Sequence, residues 1–304
     1  MSQNSDFLSV DRRVVLGAMA GAAVAGLTLG TAQAAGSSAP EKPWTSEGYV
    51  ERMGGRIHWV SLGEGEPLVL MHKLGGWVAD WRDMAPLIKG RRVIALDMPG
   101  HGQSTMLSKP PYAQSLPESA AMIKAVLEEI GVSRCAVAGV SLGGCIGTVM
   151  TACWPETVSK LALMSVSLSS RVSRDEMAQQ DAAAAKQFDA QGLPLPRTAA
   201  QVASFGKISP NVLDAQNASR SIAGLWVRAS ERGVGMAGVA DYLPRIACPA
   251  LLVYGDSGAY LKFEDVGRAK LRDVRVKKIP DTGSFVQQEK PAETAAILNE
   301  FLNG

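Results

Sequence analysis

The sequence predicts an α/β fold: a mostly parallel sheet covered by helices on both faces, with a helical insertion late in the chain. Three observations predict it. Short, continuous, β-branched apolar runs recur between turn signals, as strands buried on both faces require. Stretches with apolar residues at three- and four-residue spacing alternate with those runs, which is the pattern of helices crossing over a parallel sheet. One long stretch, Leu168 to Tyr242, breaks the rhythm, having no strand-like run and an excess of Ala, Gln, Ser and Arg.

Ahead of these elements, the first residues read as an address. Asp11-Arg12-Arg13-Val14-Val15-Leu16 is a twin-arginine pattern, a Gly/Ala-rich apolar run follows to Leu29, and Ala32-Gln33-Ala34 has the small-x-small form of a cleavage site. Segment 1–34 is therefore expected to direct export to the periplasm or beyond and to be removed. An uncleaved anchor is the alternative, but a run poor in Leu and Ile has weak drive into lipid. Residues 35–46, with Pro40 and Pro43, read as a flexible leader.

The core begins near Tyr49. Ile57–Leu62 alternates and ends at Gly63-Glu64-Gly65, predicting a half-exposed strand. Leu68–Met71, Val93–Leu96, Ala136–Ala138, Leu161–Met164 and Ala250–Tyr254 are continuous runs and predict buried strands, whereas Arg275–Ile279 alternates as an edge strand does. Ser115–Ile130 predicts a helix, with Pro117 and Glu118 near its start, Ile123, Val126, Leu127 and Ile130 on one face, and Gly131 closing it. Leu142–Trp154 predicts a helix stopped by Pro155, and Pro291–Leu302 another, with Ala295, Leu298 and Phe301 on one face. Within 168–242, Asp175–Gln191 reads as a helix ended by Leu193-Pro194-Leu195-Pro196. Leu213, Ile222, Leu225, Trp226 and Val227 are too many large apolar residues for a linker, so the stretch is read as a helical cap dividing the core into 47–167 and 243–304.

The formal charge is +2 and there is no Lys/Arg block, before or after removal of the leader, which excludes the electrostatic footprint of a nucleic-acid partner. Cys145 and Cys153 share one predicted helix too far apart to bridge, and Cys135 and Cys248 open different strands. Twin-arginine export also moves folded protein, so folding occurs with thiols reduced. All four are expected to be buried, inert thiols. No His/Cys/Asp/Glu cluster has ligand spacing and no Gly-rich loop is built to cradle phosphate, so neither metal nor cofactor is expected.

The chemistry points to one turn. Gly139-Val140-Ser141-Leu142-Gly143 is a G-x-S-x-G run directly after a buried strand and directly before a helix. Such a turn strains the serine backbone and sets its hydroxyl beside a helix N-terminus, whose amides and partial positive charge face an incoming carbonyl. With this run and context, the chain resembles the α/β-hydrolase superfamily, in particular its capped esterases, lactonases, haloperoxidase-like proteins and C–C hydrolases, over essentially all of Tyr49 to Leu302. Leu70-Met71-His72-Lys73-Leu74-Gly75-Gly76 is similar to the family's oxyanion loop. Asp97-Met98-Pro99-Gly100-His101-Gly102-Gln103-Ser104 is similar to its Asp-x-Pro-Gly-His-Gly-x-Ser loop. Pro249 to Asp256 is similar to the strand that delivers the catalytic acid, and Gly283 to Pro291 to the segment that delivers the catalytic histidine. The resemblance implies a mostly parallel eight-stranded sheet, a helical cap, and a pocket between the two above Ser141.

The chain departs from the family pattern where the proton relay belongs. Ser284 stands at the histidine position, Gly258 at the acid position, and the alternative acid position reads Ser165-Val166-Ser167. Lys73 replaces the glycine beside His72. His58 falls in an early strand, and His72 and His101 fall where the family orients loops, so no histidine is spare. Losing the histidine of such a triad costs on the order of a millionfold, whereas an oxyanion hole and binding alone leave about 10³ to 10⁴ over water. Three substitutes are weighed. Lys73 could be a neutral base if desolvated, or a solvated lysine at the rim. Asp256 could orient a water, or bond a turn. Ser284 could hold a water in place of the imidazole. Trp77 and Trp81 read as pocket wall or core. The function expected is hydrolysis of a small ester, lactone or related carbonyl in an apolar pocket, with Ser141 as nucleophile and Leu74 and Leu142 as backbone oxyanion donors. A non-catalytic small-molecule binder is the alternative, with lyase or oxygen chemistry in the same pocket as a third reading.

Overall fold

The computed structural model describes residues 43–304; the segment read as an export signal, and residues 35–42 of the leader, lie outside the described residues. Strands β1 (Ser46–Arg52), β2 (Gly55–Leu62), β3 (Glu66–Met71), β4 (Arg91–Leu96), β5 (Thr105–Met106), β6 (Cys135–Val140), β7 (Val158–Met164), β8 (Ala250–Gly255) and β9 (Val274–Ile279) make one sheet. Its order is β1-β2-β4-β3-β6-β7-β8-β9, with β5 paired to β2. Pairings that involve β2 are antiparallel, and every pair from β4 to β9 is parallel. Nine strands rather than eight result because β5 is two residues long, too short to leave a periodic signal.

Each buried run became a strand because alternate side chains feed two cores. On β3, Val69 and Met71 face one apolar cluster with Ile123, Val126 and Leu127, while Leu68 and Leu70 face the other with Trp81, Leu298 and Phe301. The first cluster is covered by α1 (Leu116–Glu129) and α2 (Leu142–Cys153). Ser115 caps α1 by accepting from the Glu118 amide, which satisfies one of the amides left open at a helix start. Two expectations need correction. β2 is mostly buried rather than half-exposed, since it lies between β1 and β4 and not at an edge. β1, whose only fully buried residue is Val50, begins at Ser46, one residue inside the segment read as leader.

The stretch after β7 is helical: α3 (Arg174–Ala184), α4 (Ala199–Val202), α5 (Pro210–Ala223) and α6 (Trp226–Ala237) precede β8. Capping boxes at Ser173/Glu176 and Thr198/Gln201 fix the starts of α3 and α4. Helix α3 ends at Ala184, short of the predicted Gln191, because a 3₁₀ turn follows and Phe188 extends to bridge Pro194. Phe188 joins Ala223 and Val227 in a small apolar cluster of their own. After β8 come α7 (Glu264–Lys270), α8 (Val286–Glu289) and α9 (Pro291–Asn303), and Leu298 and Phe301 of α9 anchor the second core face for about 1.5–3 kcal/mol each.

All four cysteines are free. Burial pushes the thiols of Cys135 and Cys145 up to about 12 and that of Cys248 up to about 11. Cys153 is exposed, contrary to expectation, because it sits at the solvent end of α2. Among the described residues no helix is long and apolar enough to cross a membrane.

Candidate active site

Ser141 joins β6 to α2 with φ at +48°, a conformation that costs an L-residue about 1–3 kcal/mol and persists only where surroundings enforce it. The surroundings are hydrogen bonds to two neighbouring strand ends. The Ser141 amide donates to the Met164 carbonyl at 3.1 Å, and the Gly143 amide donates to the His72 carbonyl at 3.0 Å. A side chain at Gly143 would collide with the Met71 carbonyl, so glycine is required for this approach. Leu142 occupies the first position of α2, where the amide has no acceptor within the helix.

Ser141 opens into a cavity of about 510 Å³, walled by Leu74, by Tyr260 and Phe263 after β8, and by helical-stretch residues that include Arg197, Phe205, Arg220 and Glu231. Gln180, Gln187 and Gln201 also line it. The expectation of an apolar pocket is therefore corrected: charged and amide side chains descend from α3 to α6 and their loops, whose lower faces the sequence pattern did not reveal.

The partner of the Ser141 hydroxyl is the Tyr260 phenol, at 3.2 Å between oxygens. Burial pushes the Tyr260 phenol above its ordinary range, with the Ser141 bond pulling the other way, so it is protonated at neutral pH. Phe205 stacks on Tyr260, with ring centroids 6.1 Å apart.

The three histidines serve the scaffold. His72 Nδ1 lies 2.7 Å from the Lys73 carbonyl and its Nε2 accepts from the Met98 amide at 3.0 Å, which fixes a neutral ring. Burial, with the charges of His101 and Lys73, holds it well below the ordinary imidazole range. His101 bonds the Pro99 carbonyl, and burial lowers it to about 4. His58 is pulled down by burial but raised on balance by bonds to Asp97 and Glu47. Asp97 in turn accepts from the amides of Val78 and Gln103, tying the loop after β4 together.

Each of the three substitutes weighed from sequence has a partner within the protein. Lys73 is not a solvated rim residue. It is 2 % exposed and faces Asp80 at 3.4 Å, and burial lowers the lysine and raises the aspartic acid while their attraction opposes both shifts. Asp256 is exposed and accepts from the amides of Asp281 and Thr282, so it secures the turn between β9 and α8. Ser284 holds no place for an imidazole: its hydroxyl and its amide both point at the Phe205 carbonyl, at 2.9 and 2.8 Å. Trp81 is core; Trp77 is half-buried and opens the short helical turn at Val78.

Gly258 and Ser284, which the sequence resemblance sets at the acid and histidine positions, lie adjacent in space, and the Phe205 carbonyl packs against both. A Cβ on Gly258 would lie 2.7 Å from Ser284 Oγ and 2.6 Å from the Phe205 carbonyl. Gly206 packs on Ser257 and Gly283, and the Ala259 amide donates to the Ser204 carbonyl at 2.8 Å. Backbone from 204 to 207 thus packs directly against residues 257–259 and 283–284, and glycine or serine at 258, 283 and 284 makes room for it.

A buried parallel sheet, a serine turn with positive φ between strand and helix, and a helical insertion over that turn are now in place. The model of the family described as alpha/beta hydrolase fold matches residues 66–203. This is the α/β-hydrolase fold. A crystal structure of a membrane phospholipase A, a bacterial virulence factor, superposes with a TM-score of 0.67 at 25 % identity, covering 85 % of this chain and 86 % of that one. The enol-lactonase from Burkholderia xenovorans LB400 superposes with a TM-score of 0.65 at 18 % identity, covering 84 % of this chain and all of that one, and supports the fold alone. The 2-hydroxy-6-oxononadienedioate/2-hydroxy-6-oxononatrienedioate hydrolase of Escherichia coli O81 (strain ED1a) is 37 % identical over 115 residues, which is 36 % of this chain and 39 % of that protein. The chain thus spans about two fifths of that curated relative, and the similar proteins named here are hydrolases.

Sequence reasoning missed Tyr260, Arg197, Arg220, Glu231 and Phe205. Tyr260 alone left a trace, being two residues beyond Gly258, where the resemblance sets the acid. The others lie in the helical stretch, where no motif ties position to role.

Proposed function

We propose that this protein is a hydrolase of small esters, lactones or related carbonyl compounds in which Tyr260 replaces the triad histidine as hydrogen-bond partner of Ser141. The observation that carries this reading is the 3.2 Å contact between Ser141 Oγ and Tyr260 Oη at the floor of the cavity. In the forward step Ser141 Oγ attacks the carbonyl carbon and its proton passes to the phenolate form of Tyr260. The resulting oxyanion faces the Leu142 and Leu74 amides; collapse expels the alkoxide, which takes the proton back from Tyr260 and leaves as the alcohol, and water then hydrolyses the acyl-serine with the same phenolate as base. A neutral phenol accepts a proton poorly, so turnover at neutral pH is slow and depends on the phenolate fraction. The test is the rate at which a fluorophosphonate labels Ser141 between pH 7 and 10. That rate should climb roughly tenfold per pH unit, without the plateau near neutrality that an imidazole base gives. Tyr260→Phe should abolish the climb. A plateau near pH 7, or a profile unchanged in Tyr260→Phe, would defeat the proposal.

A second reading, a binder without turnover, is favoured by the backbone at 204–207, which occupies the space of the missing relay. Saturable ligand binding by wild-type protein with no Ser141 labelling at any pH would select it. We propose export as well, on the twin-arginine pattern; loss of periplasmic protein in Arg12→Lys/Arg13→Lys tests it.

A further inference from the structure

The cavity carries a feature that acyl transfer does not require. Arg220, on α5, is only 4 % exposed, and its Nε is buried without a hydrogen-bond partner. Its stem crosses Gly75 in the loop after β3, where a Cβ would lie 2.5 Å from Arg220 Cγ; a bare glycine lets the chain pass over the oxyanion loop. Arg197 enters from the loop before α4. Its amide donates to Asn217 Oδ1 and its carbonyl accepts from Asn217 Nδ2, both at 2.9 Å, so its backbone is clamped to α5. Its Nε is likewise buried and unpartnered. Both side chains line the cavity that Ser141 opens into.

Two guanidinium groups turned into one cavity repel each other, and each needs acceptors for its fixed fork of donors. Burial, then the charge of Arg197, lowers Arg220 to about 10. Glu231 of α6 lines the same cavity and attracts both arginines, but it is a single charge against two and among the described residues it makes no ion pair within 4 Å with either. The arrangement therefore has donors and positive charge in excess of what the protein supplies in return. Carboxylates and phosphates both meet such forks, and the single outstanding charge in a cavity beside an acyl-transfer serine favours the carboxylate.

We propose that Arg197 and Arg220 form an anion site and that the ligand held over Ser141 is a small carbonyl compound bearing a free carboxylate. This deepens the hydrolase reading and rests on it for the location of the reacting carbonyl. Glu231 lines the same cavity and offsets one of the two guanidinium charges, so the ligand is a monoanion.

The test separates binding from chemistry. In Ser141→Ala protein, calorimetry compares monobenzyl glutarate with its neutral counterpart, benzyl methyl glutarate. The carboxylate-bearing ester should bind roughly tenfold to a hundredfold tighter, the range for hydrogen bonds to a charged group. Added salt should shrink the preference and Arg197→Gln or Arg220→Gln should erase it. Arg197 is half-buried, so Arg197→Gln carries the test if Arg220→Gln fails to fold. Equal affinities, no binding of the monobenzyl ester, or a preference untouched by Arg197→Gln would each overturn the anion site. Fluorophosphonate labelling of wild-type protein runs in parallel. Labelling without carboxylate preference defeats this inference and leaves the hydrolase reading standing. An arginine-dependent preference without labelling does the reverse.

Discussion

Restoring the two family residues should not restore the enzyme. In Gly258→Asp/Ser284→His the aspartate must adopt the backbone of Gly258, whose φ is +107°, and its Cβ would meet the Phe205 carbonyl at 2.6 Å. Backbone strain there costs about 1–3 kcal/mol. The histidine removes the Ser284 hydroxyl bond to the same carbonyl, about 1 kcal/mol, and forces an imidazole against backbone that is already in contact, about 1–3 kcal/mol more. The total is about 5 kcal/mol, and at roughly 2–4 °C per kcal/mol for a chain of this size the melting temperature should fall by about 10 °C or more. Circular dichroism melts measure the loss, and Gly258→Ala alone, which brings the backbone strain and the Cβ contact without the imidazole, should cost about 2–3 kcal/mol. Turnover of p-nitrophenyl butyrate should stay within about tenfold of the parent, since the segment 204–207 still fills the site. A soluble double variant that melts within a few degrees of the parent and gains several orders of magnitude in Ser141-dependent turnover would refute the reasoning.

Two further outcomes follow from buried charge. His101 is held at about 4 when folded, against about 6.5 when exposed, so on acidification the unfolded chain takes the proton first. Stability is therefore full above about pH 6.5 and is lost as pH falls toward 4, by up to about 3 kcal/mol from this group. His72, also lowered, adds with the same sign, whereas the raised His58 contributes stability that is lost as pH rises. Melting temperatures at constant ionic strength should drop between pH 6.5 and 4, less steeply in His101→Gln; a flat profile would count against the buried neutral rings. Lys73→Met strands the buried Asp80 carboxylate and should cost about 3–5 kcal/mol, while Lys73→Met/Asp80→Asn recovers much of it. A double variant as unstable as the sum of the two single ones would show that the pair does not interact.

The fold was legible because burial leaves a mark on every residue of an element. Leu68–Met71 had to be apolar on both faces to lie between two helical layers, and Ser115 to Ile130 had to place Ile123, Val126 and Leu127 on one stripe to cover them. The serine turn was legible for a related reason: Gly143 is dictated by a carbonyl it touches, so its identity reports its surroundings. Lys73, Asp256 and Ser284 misled because a side chain near a reactive position in the family pattern has several ways to satisfy itself. Asp80, the turn at Asp281 and the Phe205 carbonyl are partners that sequence separation conceals.

The sequence by itself determined the sheet, its covering helices and the glycine-flanked serine turn, since each follows from local periodicity or from residue types at fixed spacing. Only the tertiary structure decided what meets the Ser141 hydroxyl. Tyr260 reaches Ser141 across 119 positions, the backbone at 204–207 packs against Gly258 and Gly283, and Arg197 and Arg220 converge from separate segments of the helical stretch. Contacts of that kind depend on chain geometry summed over many residues. A hydroxyl's partner is fixed by where two distant segments come to rest, and no local pattern encodes that distance.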